Sequence, residues 1–488
     1  MDLKKKTIKA IIWSLIERSG QLGTRLIISI ILARLLLPPQ FGLIGMLTIF
    51  MAIAQLFLNS GFGLALIQKK DATHVDSCSI FYFNIFVGII VAGLLCLAAP
   101  WIAAFYEEPA LTSLTQFLSL NLIIGSFALV QTALLVKHID FKTQLKINMV
   151  ATIASGIIGI TLAYRGFGVW SLAIQSVTNT LFGTVLLWFF NKWRPSLVFS
   201  FVALKRMFNF SWRFLISGLI DTVFRNIYFI VIGKIFTATD LGFYSKAQNW
   251  QRLPSESLTG GVSRVTFPVF SSIQDDAARL KKGVRKALTN LAFLNFPMMI
   301  GIIVLAKPLV LVLLTEKWLP CVPYLQLVCV VGLFYPLHAI NVNVLMAKGR
   351  SDLFLRLEIL KKTLIVLNIL VTYRWGIQAM LWGQIVGSLI AYYLNTYYTG
   401  RLIAYPFKEQ VIDLFLYLGM AVVMGVCVYS LRLFPFPNNW SLLISQVLAG
   451  VVVYGAMNLI FKMPEFIEIF SLLNDIAKSR MSRFAFLK

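Results

Sequence analysis

Long apolar runs, each ended by a polar or basic connection, recur along the whole 488-residue chain. A run of about 20 apolar residues crosses the hydrocarbon core of a bilayer as a helix, and fourteen runs meet that length. The first six lie near 10–36, 41–67, 78–104, 111–136, 147–164 and 168–190. The next six lie near 208–236, 241–272, 287–313, 323–346, 359–373 and 377–399, and two more follow at 410–431 and 440–461. The first run carries Glu17, Arg18 and Arg25 and has no small-residue cleavage site, so it reads as a retained helix and not as a secretory signal. Every second connection is short, as at Leu37 to Gln40, Tyr106 to Ala110 and Thr237 to Asp240, which leaves no room for a folded domain on that side.

Composition agrees with lipid as the solvent: 58% of residues are hydrophobic, 13% are charged and the mean hydropathy is +0.80. The net charge of +24 would point to nucleic acid only if the basic residues clustered on a soluble surface. Instead, thirty of the 44 Lys and Arg fall in alternate connections and the two ends, from Lys4, Lys5 and Lys6 through Arg279, Lys281, Lys282, Arg285 and Lys286 to the tail. The opposite connections hold only Arg165, Lys317, Arg374 and Arg432. Such a bias is an orientation signal, and it places both termini in the cytoplasm. The five cysteines lack CxxC spacing and read as small core residues, and the three scattered histidines make a metal site improbable. No metal, cofactor or nucleic acid is expected, and enzyme chemistry built on Cys or His is argued against.

The chain also resembles itself. An offset of 200 pairs Arg25 with Arg225, Arg34 with Lys234, Gly42 with Gly242 and Gly61 with Gly261. Tyr164-Arg165 with Gln175 recurs as Tyr373-Arg374 with Gln384 at an offset of 209, each Arg being followed closely by a Gly. Six helices per repeat is an even number, so both repeats start on the cytoplasmic side and are related by an axis along the membrane normal, the plan of a parallel-repeat transporter. The expected architecture is an all-α integral membrane protein of about 14 transmembrane helices. It comprises an N-lobe (1–195), a C-lobe (196–405), two further helices (406–462) and a cytoplasmic amphipathic tail (463–488).

An ionisable group at mid-bilayer costs roughly 2.5 to 3.5 kcal/mol on insertion scales, so each such group needs a partner or a hydrated cavity. Arg34, Lys234, Lys246 and Lys307 near outer helix ends, and Arg213 and Arg264 near inner ends, can snorkel to water. Arg225 has Asp221 four residues earlier and Arg252 has Glu256 four residues later, so each can be neutralised on its own helix. Arg18 and Arg25 have no acid three or four residues away, and their spacing of seven puts both on one helix face. Either an anionic ligand or an acid from elsewhere, Glu17, Asp221 or Glu256, completes that face. Arginine's planar donor fork suits phosphate oxygens, and a diphosphate can engage two such side chains. The eighth span is polar in its first half and is interrupted by Pro254 and by Gly260-Gly261, so it lines a hydrated cavity or packs inside protein. These three residues, with Gly20 and Gly23 in the first span, are the candidate hinges.

Specific stretches carry a family resemblance: Pro39-Gln40-Phe41-Gly42-Leu43, the run Gly61 to Gln68, the run Arg264 to Asp276, Glu316-Lys317-Trp318-Leu319-Pro320, Lys348-Gly349-Arg350-Ser351-Asp352-Leu353 and Asn395-Thr396-Tyr397-Tyr398-Thr399-Gly400. Through them, residues from about 10 to 405 resemble the polysaccharide flippases of the multidrug/oligosaccharidyl-lipid/polysaccharide exporter superfamily, in the colanic and teichuronic acid exporter branch. The resemblance implies two six-helix lobes around a cavity that moves undecaprenyl-diphosphate-linked sugar repeat units across the bacterial inner membrane by alternating access, for lipopolysaccharide, capsule or exopolysaccharide synthesis. In the related lipid II flippases the first helix carries paired arginines similar to Arg18 and Arg25; with Arg225 and Arg252, taken from the intramembrane charges above, these are the candidate diphosphate-binding residues, and Glu17, Asp221 and Glu256 are the candidates for coupling or charge balance. The implied partners are that lipid-linked oligosaccharide, membrane lipid, and polysaccharide polymerase and export machinery, around a monomer. Two alternatives stay open on the residues alone: a cation-coupled drug antiporter of the same superfamily, and a membrane polymerase or ligase acting on lipid-linked sugar. The short outer loops oppose the latter.

Overall fold

The computed structural model describes residues 20, 22–59, 61–69, 71–138 and 140–467. Glu17, Arg18 and most of the amphipathic tail lie outside these residues. All regular structure among the described residues is helical, and every one of the fourteen apolar runs is met by helix. In chain order these are α1 (22–35), α2 (Pro38–Asn59), α3 (Phe62–Gln68), α4 (His74–Tyr106), α5 (Ala110–Ser126), α6 (Leu129–Lys137), α7 (Phe141–Tyr164), α8 (Val169–Phe190) and α9 (Phe201–Ile235). They continue as α10 (Ala238–Ser272), α11 (Ala277–Leu313), α12 (Cys321–Ala347), α13 (Ser351–Thr372), α14 (Gly376–Ile403), α15 (Phe407–Ser430) and α16 (Asn439–Ile460). Nine of the described helices are long and apolar enough to cross a membrane, and the α5–α6 pair, bent by 45°, passes the same test when taken together. This is a multi-pass membrane protein.

Helix starts follow local chemistry. Thr73 and Asp76 form a capping box at α4, Asp276 accepts from the Arg279 amide (2.9 Å) at α11, and Asn438 with Ser441 forms a second capping box at α16. The turns Tyr164-Arg165-Gly166 and Tyr373-Arg374-Trp375-Gly376 are also alike: Gly166 (φ 83°) and Gly376 (φ 89°) both take a positive φ. Gly61 and Gly261 do not match. Gly61 (φ 77°) ends the break between α2 and α3, whereas α10 runs through Gly261 and through Pro254 without interruption.

The chain forms two compact units, residues 1–245 and 246–488. In the first, α4 packs on α5, α7 on α8, α5 on α8 and α2 on α9. At one end of this unit the first turns of α2 and α10 touch reciprocally. A methyl group on Gly42 would overlap the carbonyl of Ala238, and one on Gly242 would overlap the carbonyl of Pro38. Both contacts obey the 200-residue offset. Nearby, Lys234 ion-pairs with Glu107 (2.7 Å) at the end of α4.

In the second unit α11 is the hub, packed by α12, α15 and α16. Its buried residues Leu280, Val284, Leu288, Leu291, Asn295 and Met299 recur at helical spacing. The polar half of α10 packs inside protein: Gln251 donates to Ser255 (3.1 Å), and Ser255 donates to Asn295 (3.4 Å), whose amide reaches the carbonyl of Gly332 (3.0 Å). Lys246, expected to snorkel to water, is instead 3% exposed and lies 5.6 Å from the ring centre of Trp318. The ring face supplies the attraction that water would otherwise give. Asn341 and Gln410 exchange amide hydrogen bonds (both 3.2 Å), and Gln410 also bonds Tyr392 and the carbonyl of Tyr405, which ties α15 to α12 and α14. Of the cysteines, Cys78, Cys321 and Cys329 are buried as expected, while Cys427 is exposed.

Candidate functional site

The site grows from the two places where helices of the first unit break. Between α5 and α6 the bend frees backbone carbonyls, which are costly to leave unpaired away from water. Side chains satisfy them: Thr184 donates to Ile124 (3.3 Å), Asn84 to Ser126 (3.1 Å) and the Trp188 indole to Phe127 (3.1 Å). Gly61 closes the other break, at the start of α3. Between these breaks and α1, α7 and α8 opens a cavity of about 450 Å³.

Arg25 of α1 lines this cavity, as does the pair Gln55 and Asn59, one turn apart on α2. The far wall presents Asn148 and Thr152 from α7 and Asn179, Thr180 and Thr184 from α8. Ser155 holds Asn179 through its side-chain oxygen (3.3 Å), and Thr180 donates to Asn121 (2.6 Å), so the wall is pre-organised by hydrogen bonds within the bundle. Among the described lining residues Arg25 is the charged one, and none is acidic. An arginine set among amides and hydroxyls can bind an anionic group while the neutral donors and acceptors meet hydroxyl-rich groups attached to it. The packing that shapes the cavity is tight. Gly156 of α7 admits Ile28 of α1, the two approaching so closely that a methyl on the glycine would collide.

The structure brings together fewer of the expected residues than the sequence grouped. Arg18 and Glu17 lie outside the described residues. Arg225 pairs with Asp221 on α9 (3.8 Å), as the i, i+4 spacing predicts, and is not among the residues lining this cavity. Arg252 pairs with Glu256 on α10 (4.0 Å), in the second unit. Of the hinge candidates, Gly23 lies on α1 and Gly20 just before it, and no heavy atom would meet a methyl at Gly23 or at Gly261. Sequence reasoning missed the amide and hydroxyl wall. Its residues stand singly in apolar helices, and only Gln55 and Asn59, spaced by four next to Gly61, left a signal.

Comparison with known proteins places this geometry. The chain is 28% identical over 442 residues to the lipopolysaccharide biosynthesis protein WzxC of Escherichia coli (strain K12), covering 88% of each chain. It is 31% identical over 305 residues to the teichuronic acid biosynthesis protein TuaB of Bacillus subtilis (strain 168), covering 62% of each. Its fold is similar to that of the lipid II flippase MurJ, solved in an inward closed conformation, with a TM-score of 0.70 at 12% identity over 94% of this chain and 98% of that one. The transporter fold and the resemblance to polysaccharide flippases read from the sequence therefore stand. With residues 31–323 matching its profile, the chain belongs to the polysaccharide biosynthesis protein family.

Proposed function

We propose that this protein is a flippase that moves undecaprenyl-diphosphate-linked oligosaccharides from the cytoplasmic to the outer leaflet of the bacterial inner membrane. The observation that carries the reading is the cavity of the first unit, which is cationic through Arg25, free of acids among its described lining residues and walled by amides and hydroxyls. Arg25, with Arg18 seven residues earlier in the sequence, engages the diphosphate. The amide and threonine wall meets the sugars, and the polyprenyl chain stays in lipid. Arg225 and Arg252 are the further candidates for phosphate contact. Glu17, Asp221 and Glu256 balance or couple the charge, and Gly20, Gly23, Pro254, Gly260 and Gly261 give the bending that alternating access needs. The lobes are the two repeats, 1–195 and 196–405, and both termini face the cytoplasm. Polysaccharide polymerase and export machinery act on the product.

The test is the leaflet occupied by lipid-linked oligosaccharide in cells depleted of the protein, read with a membrane-impermeant sugar-modifying reagent. Substrate protected from the reagent should accumulate, wild-type protein should restore access, and Arg25→Ala at normal protein levels should not. Exposed, unpolymerised substrate in depleted cells would transfer the role to polymerisation. Normal polymer with sodium-dependent drug efflux would favour the antiporter.

A further inference from the structure

The two helix breaks of the first unit lie side by side. Gly125 at the end of α5 packs against the Leu58 side chain at the end of α2, and Gly63 at the start of α3 packs against Leu129 at the start of α6. Two neighbouring spans are therefore interrupted at one depth, at Gly61 (φ 77°) and at the 45° bend between α5 and α6. Beyond the breaks α3 and α6 run together, and Phe62, Ala65 and Leu66 share one buried core with Val130 and Ala133. The pair also gives the Arg25 cavity a wall, through Gly63 and Ile67 of α3 and Leu129, Thr132 and Val136 of α6.

The two sides of the breaks are held differently. On the α5 side, the hydrogen bonds from Asn84, Thr184 and Trp188 fix the carbonyls of Ser126, Ile124 and Phe127 to α4 and α8. On the α6 side the N-cap position is Ala128, whose side chain cannot cap, and the fastening lies at the far end of the pair. There the Lys137 ammonium donates to the Lys69 carbonyl (2.9 Å), joining the last turn of α6 to the residue that ends α3. The Lys69 ammonium in turn pairs with Asp76 in the first turn of α4 (2.5 Å). Asp76 is 4% exposed and is half of the α4 capping box, so it is a fixed anchor. Gln131 of α6 bonds with Asn191 (3.2 Å) and Trp193 (3.1 Å), in a connection without regular structure that can follow the pair. A glycine at positive φ and an open helix break are where a chain absorbs a change of φ and ψ at little cost.

We infer that α3 and α6 form one hinged flap, turning about Gly61 and the α5–α6 bend to change the width of the Arg25 cavity, and that the Lys69–Asp76 pair, with Lys137 on the Lys69 carbonyl, latches it. The inference stands whether or not that cavity carries lipid-linked sugar, because it concerns the wall and not the occupant.

The test uses the full chain in lipid nanodiscs, with native cysteines replaced by serine and spin-label pairs read by double electron–electron resonance. Gln68 and His138 report on the flap and Lys146 on α7, all three being exposed. The Gln68–His138 pair should give one distance, unchanged by Asp76→Asn or Lys69→Met. The Gln68–Lys146 and His138–Lys146 pairs should each show a second distance. The ratio of that second population to the first should rise about tenfold in both variants, the factor that one charge-assisted hydrogen bond controls. Asparagine keeps an oxygen for the Thr73 amide, so the α4 cap survives the first substitution. Should the labelled proteins not fold, hydrogen exchange on the chain with its native cysteines reads the same event. Asp76→Asn should then speed exchange in 62–68 and 129–137 together while leaving α7 and α8 unchanged. Flap-to-α7 distances that neither variant alters overturn the latch. A Gln68–His138 distance that spreads with them, or exchange that rises in one helix alone, overturns the single flap.

Discussion

Glu107, just beyond the end of a membrane-spanning helix, is held by Lys234 at the end of another. The carboxylate sits at the end of α4 with its backbone in the left-handed region (φ 60°), and the ammonium reaches it from the last turn of α9 at 2.7 Å. That hydrogen bond and the charge of Lys234 hold the Glu107 carboxyl below its usual range. A depressed folded-state pKa stabilises the protein above the ordinary carboxylate pKa of about 4.3, and the benefit is lost as pH falls through the depressed value. Wild type should therefore unfold at a higher temperature than Glu107→Gln at neutral pH, and the two should converge in acid and at high salt, because the pair is exposed. A difference that persists in acid would assign the effect of the substitution to packing. The same scale shows what can be read from single residues. Arg25 was legible because its own helix offers it no acid at i±3 or i±4. Asn148 and Asn179 were not, because a lone amide in an apolar helix means nothing until a second helix brings another amide opposite.

Elements approach one another most closely at the first turns of α2 and α10. Gly42 lies against the Ala238 carbonyl and Gly242 against the Pro38 carbonyl, backbone on backbone, so no side-chain rotation can make room for a methyl. Gly42→Ala and Gly242→Ala should each destabilise the purified protein by about 1–3 kcal/mol, the usual cost of overpacking. The double variant should cost less than the two together, because separating the two ends once relieves both overlaps. Gly93→Ala, where no heavy atom lies within 4 Å of the added methyl, is the control and should leave the unfolding midpoint unchanged. An unaltered midpoint for Gly42→Ala would mean that these ends do not touch in the folded protein. The repeat was visible in sequence as Gly42 and Gly242, but the reason for the glycines was not, since contact between helices 200 residues apart leaves no local pattern. Conversely, the Gly61 and Gly261 pair matched in letter and not in backbone. At Gly61 the chain needs a positive φ to restart a helix, whereas at Gly261 α10 simply continues.

For the whole molecule, apolar length located runs that are all met by helix, because lipid leaves the backbone few choices, while the division of packing at residue 245 could not be read. The repeat boundary expected from the sequence falls near 195, yet α9 packs on α2 and α4 of the first unit, a tertiary preference that neither hydropathy nor charge encodes. Orientation is different, since it depends on summed charge. With thirty basic residues assigned to one side and four to the other, inverting the chain would put the Arg279–Lys286 cluster outside. The bias should therefore hold even when one connection is altered. In a background lacking the five native cysteines, Pro109→Cys in the α4–α5 connection should react with an impermeant maleimide in intact cells. Asp275→Cys, in the α10–α11 connection beside the basic cluster, should react only after permeabilisation. Both positions are exposed, so accessibility reports the side of the membrane and not burial. The opposite labelling pattern would invert the topology. It would also put Lys282, Arg285 and Lys286 on the outer side.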